Sequence, residues 1–338
     1  MMIDVRSDTV TRPTPAMLDA MHKAKVGDDV FEEDPTVAEL EEFGANLFGK
    51  EAALFCPSGT MTNQIAIKLQ TEPMSEVILE ASSHPYLYEG GGIAFHSGAS
   101  VKLIRGNRGR IDAMQVREAV NPDNVHFPAT RLVSLENTAN RGGGSCYDLD
   151  AIREIKSVCN EFGLKMHLDG ARIFNALIAT GQQPQDHGKL FDTISICLSK
   201  GLGAPVGSLL LGNREAIKKG RRIRKVFGGG MRQAGFLAAA GLYALKNNIP
   251  RLADDHEKAR ELENILREQK FVDEILPVET NIVVFSLKAN KSPSEFLEFL
   301  AGRGVKAVPF GGQWVRFVTH LDLSREQISK IKDMICQY

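Results

Sequence analysis

Between residues 50 and 212, short hydrophobic runs rich in β-branched residues alternate with segments of helical length. Segment 149–162 is typical of the helical kind, because its apolar residues recur at helical spacing and Asp148 precedes them as a capping residue. This alternation predicts an α/β fold with a mostly parallel sheet and helices on both faces. The hydrophobic runs are ALFC near residue 53, EVILE near 76, VKLIR near 101, RLVSLE near 131, KMHLD near 165, TISICL near 193 and GSLLL near 207.

Beyond residue 212 the pattern changes to long helical segments, which Pro250 interrupts. Shorter elements follow, and together they predict a small α+β domain: strands over 282–285 and 314–318, and helices over 293–300 and from Ser324. The first thirty residues contain Pro13 and Pro15 and predict an extended arm. We therefore expect three parts, which are an N-terminal arm over 1–30, a large domain over 31–249 and a small C-terminal domain over 250–338.

Composition narrows the class of protein. The 338 residues carry 41 Lys and Arg against 42 Asp and Glu, a formal net charge of −1, which argues against a primary role in binding nucleic acid or an anionic membrane surface. The five cysteines are widely spaced and contain no C-x-x-C pair, so a reduced cytoplasm fits best. No signal peptide is predicted, and the longest apolar segment, 235–245, is too short to span a bilayer and predicts a buried helix.

The residues most suggestive of chemistry follow predicted strands. Asp169 ends the strand in HLDGAR and Lys200 follows the strand in SICLSKG, so both are expected at the carboxyl edge of the sheet, where ligands bind. A lysine with an acidic partner suits pyridoxal phosphate, and Ser58, Gly59 and Thr60 open a helix that could hold its phosphate. Each residue alone has an ordinary alternative, as a turn aspartate, a solvated lysine or a helix cap. Their combination favours a cofactor site.

Seven blocks resemble the low-specificity threonine aldolase family: DVRSDTVTRPTPAM, GDDVFEEDPTVAELEE, FCPSGTMTNQIA, LENTANRGG, HLDGARIFNA, SICLSKGLGAPVGSLLLG and RKVFGGGMRQAG, with VRFVTHLD extending the match near the C-terminus. The resemblance implies the pyridoxal-phosphate-dependent transferase fold of type I, with a seven-stranded large domain and a small C-terminal domain. It also implies a homotetramer built from two dimers. The expected reaction is the retro-aldol cleavage of L-threonine or L-allo-threonine to glycine and acetaldehyde.

The resemblance assigns roles on the cofactor side of the site. It makes Lys200 the lysine that carries the cofactor as an imine and Asp169 the partner of the pyridine nitrogen. Ser58, Gly59 and Thr60 would bind the phosphate. His84 would stack on the cofactor ring and act as the general base, directly or through water; without the family match it would be a loop histidine beside Pro85. Arg172 would lie close to the cofactor as well.

Other residues are implied on the substrate side. Arg172 and Arg316 would hold the amino acid's carboxylate with Ser7, since a planar guanidinium pairs bidentately with a carboxylate. His126 would lie near the substrate's β-hydroxyl. Further expectations concern a structural cation held by Thr9 and Thr11, and Lys225 and Arg232 near the phosphate and a dimer contact.

One position departs from the family pattern, because Ala139 stands where a histidine is usual. We expect weak discrimination between the two Cβ epimers in consequence. Three alternatives stand beside this interpretation. GLGAPVG over 201–207 has the wrong spacing for a dinucleotide loop, and transamination, decarboxylation or β-elimination could occur on the same fold. A non-enzymatic relative would be expected to lose Lys200, Asp169 or the arginines.

Overall fold

A computed structural model describes residues 2–338, and within this range the chain forms thirteen strands and thirteen α-helices. The strands are β1 (Ile3–Asp4), β2 (Ala52–Cys56), β3 (Ser75–Glu80), β4 (Ser100–Ile104), β5 (Ala129–Glu136), β6 (Lys165–Gly170), β7 (Thr193–Cys197), β8 (Ser208–Gly212), β9 (Val272–Ile275), β10 (Ile282–Leu287), β11 (Val305–Lys306), β12 (Val308–Gly311) and β13 (Trp314–Val318). The helices are α1 (Pro15–His22), α2 (Pro35–Phe48), α3 (Gly59–Gln70), α4 (His84–Leu87), α5 (Ala113–Ala119), α6 (Leu149–Glu161), α7 (Ile173–Thr180), α8 (Pro184–Leu190), α9 (Arg214–Val226), α10 (Gly235–Asn247), α11 (Leu252–Arg267), α12 (Pro293–Ala301) and α13 (Arg325–Ile335).

The large sheet has seven strands in the order β2-β8-β7-β6-β5-β3-β4. Strand β8 runs antiparallel to both neighbours, and the other pairs are parallel. Every residue of β3, β7 and β8 is buried, as expected for strands covered by helices on both faces. The structure therefore confirms the predicted mostly parallel α/β sheet, and each of the seven hydrophobic runs corresponds to one of its strands.

The C-terminal region has its own four-stranded antiparallel sheet, ordered β12-β13-β10-β9. Phe285, Phe296 and Phe317 are fully buried in a core that also includes the apolar faces of α11, α12 and α13. Helix α10 ends before Pro250 and α11 begins after it, as the sequence predicts. The short strands β9, β11 and β12 were not predicted. The exact domain limits near residues 30 and 250 stay a prediction.

The N-terminal segment corrects one expectation, because it is not extended throughout. Strand β1 pairs in parallel with β11, but residues 15–22 form helix α1, which packs against α10. Thr14 caps this helix by accepting a hydrogen bond from the Met17 amide, and Pro15 occupies its first position, where proline is favoured. Proline here starts a helix instead of enforcing an extended arm. The segment thereby carries residues 7 and 8 to the edge of the large sheet.

Within residues 2–338, no helix combines the length and apolar character that crossing a membrane requires. The apolar segment near residue 235 is instead α10, whose alanines are largely buried in the main core. This agrees with the helix expected there.

Candidate active site

A cavity of about 310 Å³ lies where the large sheet meets the N-terminal segment and the C-terminal sheet. Strands β5, β6 and β7 are adjacent and parallel, so the residues at and beyond their carboxyl ends gather at one edge. Strands β12 and β13 close the opposite side with Phe310 and Arg316. The cavity brings together six of the residues expected in a site: Ser7, Thr9, His84, Arg172, Lys200 and Arg316.

Asp169 lies at the end of β6 and is only 2% exposed. One carboxylate oxygen accepts a hydrogen bond from Asn63 Nδ2 at 3.0 Å, and the other accepts from the Ala171 amide at 3.1 Å. These bonds compensate the carboxylate for its loss of water and fix its orientation. Asp169 is therefore a buried, oriented anion beside the cavity.

The N-terminus of α3 provides a second fixed feature. Ser58 caps the helix by accepting a hydrogen bond from the Met61 amide at 3.2 Å, and Gly59 and Thr60 form its first turn. Amide groups in a first turn have no partner inside the helix and favour an anion. The hydroxyl of Ser208 is buried without a hydrogen-bond partner among the described residues, and a Cβ built at Gly59 would lie 3.5 Å from it. An unpaired hydroxyl beside a glycine at a helix N-terminus fits a phosphate group.

Lys200 follows β7 and faces the cavity. The Thr11 hydroxyl donates to its carbonyl oxygen at 2.9 Å, which ties the N-terminal segment to this turn. The charge of Lys200 also acts on its surroundings, since it contributes to lowering the pKa of Asp8 and opposes the rise in the pKa of His84. The amine thus lies within electrostatic range of both groups.

His84 is the first residue of α4, and its imidazole hydrogen-bonds through Nδ1 to Oε1 of the buried Glu89 at 3.0 Å. Burial alone would lower the pKa of His84, but the hydrogen bond to Glu89 and the charges of Asp169 and Glu89 outweigh it and raise that pKa. Glu89 also accepts hydrogen bonds from Asn63 and Gln64. Ligand-type atoms of His84, Glu89 and Asp169 lie within 4.8 Å of one another, and Asn63 bridges the two carboxylates.

Glu136 ends β5, in register with Asp169 on β6. Its two oxygens accept hydrogen bonds from the backbone amides of His84 and Asn140, each at 2.9 Å. Burial and the neighbouring charge of Asp169 raise the pKa of Glu136 to about 7. One carboxyl group therefore fixes two segments that both reach the cavity.

Arg172 and Asp8 form a buried, bidentate ion pair. Arg172 Nε donates to Asp8 Oδ2 at 2.8 Å and Nη2 donates to Oδ1 at 2.6 Å. Burial by itself would raise the pKa of Asp8, but the Arg172 charge and hydrogen bonds overcome it and lower the pKa to about 2. Nε and Nη2 are bonded to Asp8, so Nη1 is the guanidinium nitrogen of Arg172 that remains for a ligand in the cavity.

Arg316, on β13, has only neutral hydrogen-bond acceptors. Its Nη1 donates to Asn140 Oδ1 at 2.8 Å and its Nη2 to the Arg6 carbonyl at 3.0 Å. Its Nε is buried without a partner among the described residues. Burial and the nearby charge of Arg172 lower the pKa of Arg316 to about 10. This guanidinium carries a charge that no carboxylate of residues 2–338 pairs with at salt-bridge distance.

The cavity lining does not include Asp169, Thr11 or the α3 residues 58–60, and four further residues singled out in the sequence lie elsewhere in this chain. His126 is exposed in the loop before β5. Lys225 is in the last turn of α9, and Arg232 forms a 2.8 Å ion pair with Asp28. Ala139 is 2% exposed, and a Cβ built at Gly109 would lie 2.6 Å from its Cβ, so this side chain packs against the loop instead of facing the cavity.

Several residues of the site were missed in the sequence. Glu136 ends the predicted strand RLVSLE as Asp169 ends KMHLD, so the same reasoning about strand ends would have found it. Asp8 and Glu89 act through side-chain contacts with residues distant in sequence or in an irregular loop, and no periodicity marks them. Tyr88 and Phe310 also line the cavity without a sequence signal, whereas Asn140 and Arg141 belong to the block LENTANRGG but received no role from it.

The fold and this constellation define a class of protein. The profile of the beta-eliminating lyase family matches residues 4–290, and the chain belongs to that family. Within it, the chain resembles the low specificity L-threonine aldolases. The enzyme of that name from Escherichia coli (strain K12) is 44% identical over 333 residues, which cover 98% of this chain and 97% of the relative. The resemblance inferred from the sequence blocks is thereby confirmed.

Solved structures give the same fold. The threonine aldolase of Leishmania major superposes with a TM-score of 0.86 at 22% identity, covering 99% of both chains. A structure described as SPT with PLP superposes with a TM-score of 0.76 at 18% identity, covering 99% of this chain and 86% of the other. At such identities the likeness concerns the fold, and it confirms the fold type expected from the sequence.

Proposed function

We propose that this chain is a pyridoxal-phosphate-dependent aldehyde-lyase that cleaves L-threonine, L-allo-threonine and related β-hydroxy-α-amino acids to glycine and an aldehyde. The observation that carries the proposal is a single cavity that joins Lys200, two arginines and a histidine backed by a buried carboxylate. The 44% identity to a low specificity L-threonine aldolase supports the same reaction.

The residues on the sheet side fit pyridoxal phosphate. Lys200 would bind the cofactor covalently, Asp169 would face its pyridine nitrogen, and the α3 amides of Gly59 and Thr60 with Ser58 would hold its phosphate. When bound, this cofactor supplies an electron sink for the charge that develops at the substrate's Cα. The buried carboxylate of Asp169 would hold the ring-nitrogen proton on which that sink depends.

The two arginines orient the substrate. The free part of the Arg172 fork and the unpaired charge of Arg316 would bind the substrate's carboxylate, with Ser7 as a hydroxyl partner at the same cavity wall. Asp8 holds Arg172 rigidly, and Asn140 holds Arg316. A substrate whose carboxylate is held at two points would rotate less freely about the bonds of Cα. The Cα–Cβ bond would then be held in the reactive orientation.

His84 moves the proton. Its Nδ1 faces Glu89, so the neutral imidazole donates there and leaves Nε2 free to accept. Nε2 takes the proton of the β-hydroxyl, directly or through water, while the Cα–Cβ bond breaks. Threonine then yields acetaldehyde, and Cα receives one proton to become glycine, so the atoms balance.

The remaining roles belong to the same proposal. His126 is exposed in its loop, away from the cavity of its own chain. It would approach the β-hydroxyl of a substrate bound in a second copy of the chain, and a homotetramer supplies such copies. The side chains of Phe95 and Val226 are 84% and 81% exposed. They lie on neighbouring segments, which the ring contact between His96 and Phe227 joins. Such exposed apolar side chains support burial of this surface in an assembly. Lys225 and Arg232 would lie near the phosphate and such a contact.

Three further expectations complete the assignment. Thr9 and Thr11 would bind a structural cation beside the Lys200 turn, to which Thr11 already donates a hydrogen bond. Because Ala139 packs into its loop, any effect on epimer preference would act through the neighbouring Asn140, which lines the cavity. We place the enzyme in cytoplasmic amino acid metabolism, degrading threonine and forming glycine.

The test is to incubate the purified holoenzyme separately with L-threonine, with L-allo-threonine and with an amino donor plus a 2-oxo acid. Acetaldehyde and glycine should form from both epimers, with weak discrimination between them, and transamination should be slow. Brisk transamination or β-elimination without acetaldehyde from either epimer would overturn the proposal while leaving the cofactor assignment intact.

A further inference from the structure

The cavity carries more positive charge than one amino acid carboxylate requires. Three arginines line it, Arg141, Arg172 and Arg316, and no acidic residue does. Asp8, behind the wall, neutralises Arg172 through the buried bidentate pair. Arg316 remains for the substrate's carboxylate. The positive charge of Arg141 then exceeds what one carboxylate requires.

Arg141 is held in place without an anion. Within the described range 2–338, its side chain makes neither a hydrogen bond nor an ion pair at salt-bridge distance, although it is only partly exposed. Its Cζ lies 3.9 Å from the centroid of the Phe310 ring, in a cation–π contact. The contact with Phe310 thereby holds the planar guanidinium of Arg141 at the cavity and uses none of the N–H donors of Arg141.

The position of Arg141 places it close to the carboxylate-binding arginine. The Cζ of Arg316 lies 5.4 Å from the centroid of the same Phe310 ring. The charge of Arg141 also contributes to lowering the pKa of Arg316. Two like charges against one ring repel each other, and an occupant with two anionic groups would relieve that repulsion.

We propose that Arg141 is a specificity-determining residue that lets the enzyme accept β-hydroxy-α-amino acids with an anionic group on Cβ, of which 3-hydroxyaspartate is the simplest. This inference rests on the proposed aldolase function and names a substrate class for the same site. Arg172 and Arg316 bind the α-carboxylate, and Arg141 pairs with the β-carboxylate. The N–H donors left unused by the Phe310 stacking match a carboxylate bidentately.

The reaction is the same retro-aldol cleavage. In 3-hydroxyaspartate the Cα–Cβ bond breaks, the β-hydroxyl loses its proton to the base, and Cβ with its carboxylate leaves as glyoxylate. Cα gains one proton and leaves as glycine. All atoms of the substrate appear in these two products, and no oxidant or reductant is required.

The experiment compares kcat/KM for L-threo-3-hydroxyaspartate and L-threonine in the wild-type holoenzyme, Arg141→Gln and Arg141→Lys. Arg303→Gln is the matched control, because Arg303 stacks on Phe299 with its Cζ 3.7 Å from the ring centroid but lies outside the cavity. In Arg141→Gln, kcat/KM for 3-hydroxyaspartate should fall roughly 10- to 100-fold more than kcat/KM for threonine. Arg141→Lys should recover part of the ratio, and Arg303→Gln should not change it.

A binding measurement separates this inference from the aldolase assignment. L-Aspartate and L-alanine lack a β-hydroxyl, so calorimetric titration of the holoenzyme with each reports affinity without cleavage. The ratio of the affinity for L-aspartate to the affinity for L-alanine should be higher in wild type than in Arg141→Gln. The factor should be similar to that expected for kcat/KM. If threonine is not cleaved but this Arg141-dependent preference persists, the proposed function fails and the anionic subsite stands.

Two outcomes would overturn the anionic subsite. Equal losses for both substrates in Arg141→Gln would show that Arg141 binds the α-carboxylate shared by both. An unchanged kcat/KM for both substrates in Arg141→Gln, or threonine cleavage with no cleavage of 3-hydroxyaspartate by wild type, would show that Arg141 serves only to pack against Phe310.

Discussion

The sheet side and the substrate side of the cavity are built in different ways. On the sheet side, Asp169 and Lys200 lie at or just beyond the ends of adjacent parallel strands, and the α3 N-terminus follows a strand of the same sheet. On the substrate side, each arginine depends on a residue far away in sequence, as Arg172 does on Asp8. One side is therefore fixed by the topology of a single sheet, whereas the other requires three regions of the chain to be assembled.

This difference predicts which substitutions act on chemistry and which on assembly. The largest effect on turnover is expected at His84, which lies between the two sides. If His84 is the general base, as we propose, His84→Ala should lower kcat by about 100- to 10,000-fold. Steady-state acetaldehyde release measures it, with the exposed His22→Ala as control. A kcat close to wild type in His84→Ala would mean that another group, or water, is the base.

The substrate side should respond most strongly in stability. Asp8→Asn leaves the buried Arg172 guanidinium without its anion, so we expect the free energy of unfolding to fall by about 3–5 kcal/mol. Urea unfolding of the holoenzyme measures this change. Asp19→Asn is the control, because the Asp19 and Lys23 pair is exposed and should change stability by less than about 1 kcal/mol. Equal effects of the two substitutions would contradict a structural role for the buried pair.

The sheet side should respond in turnover with little loss of fold. Asp169→Asn keeps the size of the side chain and removes the charge that we propose would hold the cofactor's ring-nitrogen proton. Loss of about 2–4 kcal/mol of stabilisation corresponds to a kcat roughly 30- to 1000-fold lower. Circular dichroism of the variant should match wild type. Near-normal turnover would remove Asp169 from the chemistry.

The smallest effect concerns the pH dependence of stability. Because burial and Asp169 raise the pKa of Glu136 to about 7 in the folded protein, the folded state holds this proton more tightly than the unfolded chain. The contribution of Glu136 to stability therefore falls as pH rises from about 4.5 to about 7. Glu136→Gln abolishes this titration, so its stability relative to wild type should increase over that range. The measurement is the urea midpoint of both proteins at each end of the range. A difference between Glu136→Gln and wild type that does not change with pH would contradict the raised pKa.

The sequence predicted the sheet side well because its signals are local. A hydrophobic run followed by Asp169 or Lys200 is visible in a single segment, and parallel pairing then places both residues at one edge. The ion pair of Arg172 with Asp8 spans 164 positions, and the one carboxyl group of Glu136 reaches both His84 and Asn140. Such contacts depend on tertiary packing, which no periodicity encodes. Helix α1 departs from the predicted extended arm for another reason, since Pro15 occupies the first position of a helix, where proline is favoured.

The most direct measurement is borohydride reduction of the holoenzyme followed by peptide mapping. The sheet side requires the amine of Lys200, just beyond the end of β7, to carry the cofactor. Reduction should fix the cofactor on Lys200, and Lys200→Ala should lose the label. A label on another lysine, or a label retained in Lys200→Ala, would contradict the assignment of the site.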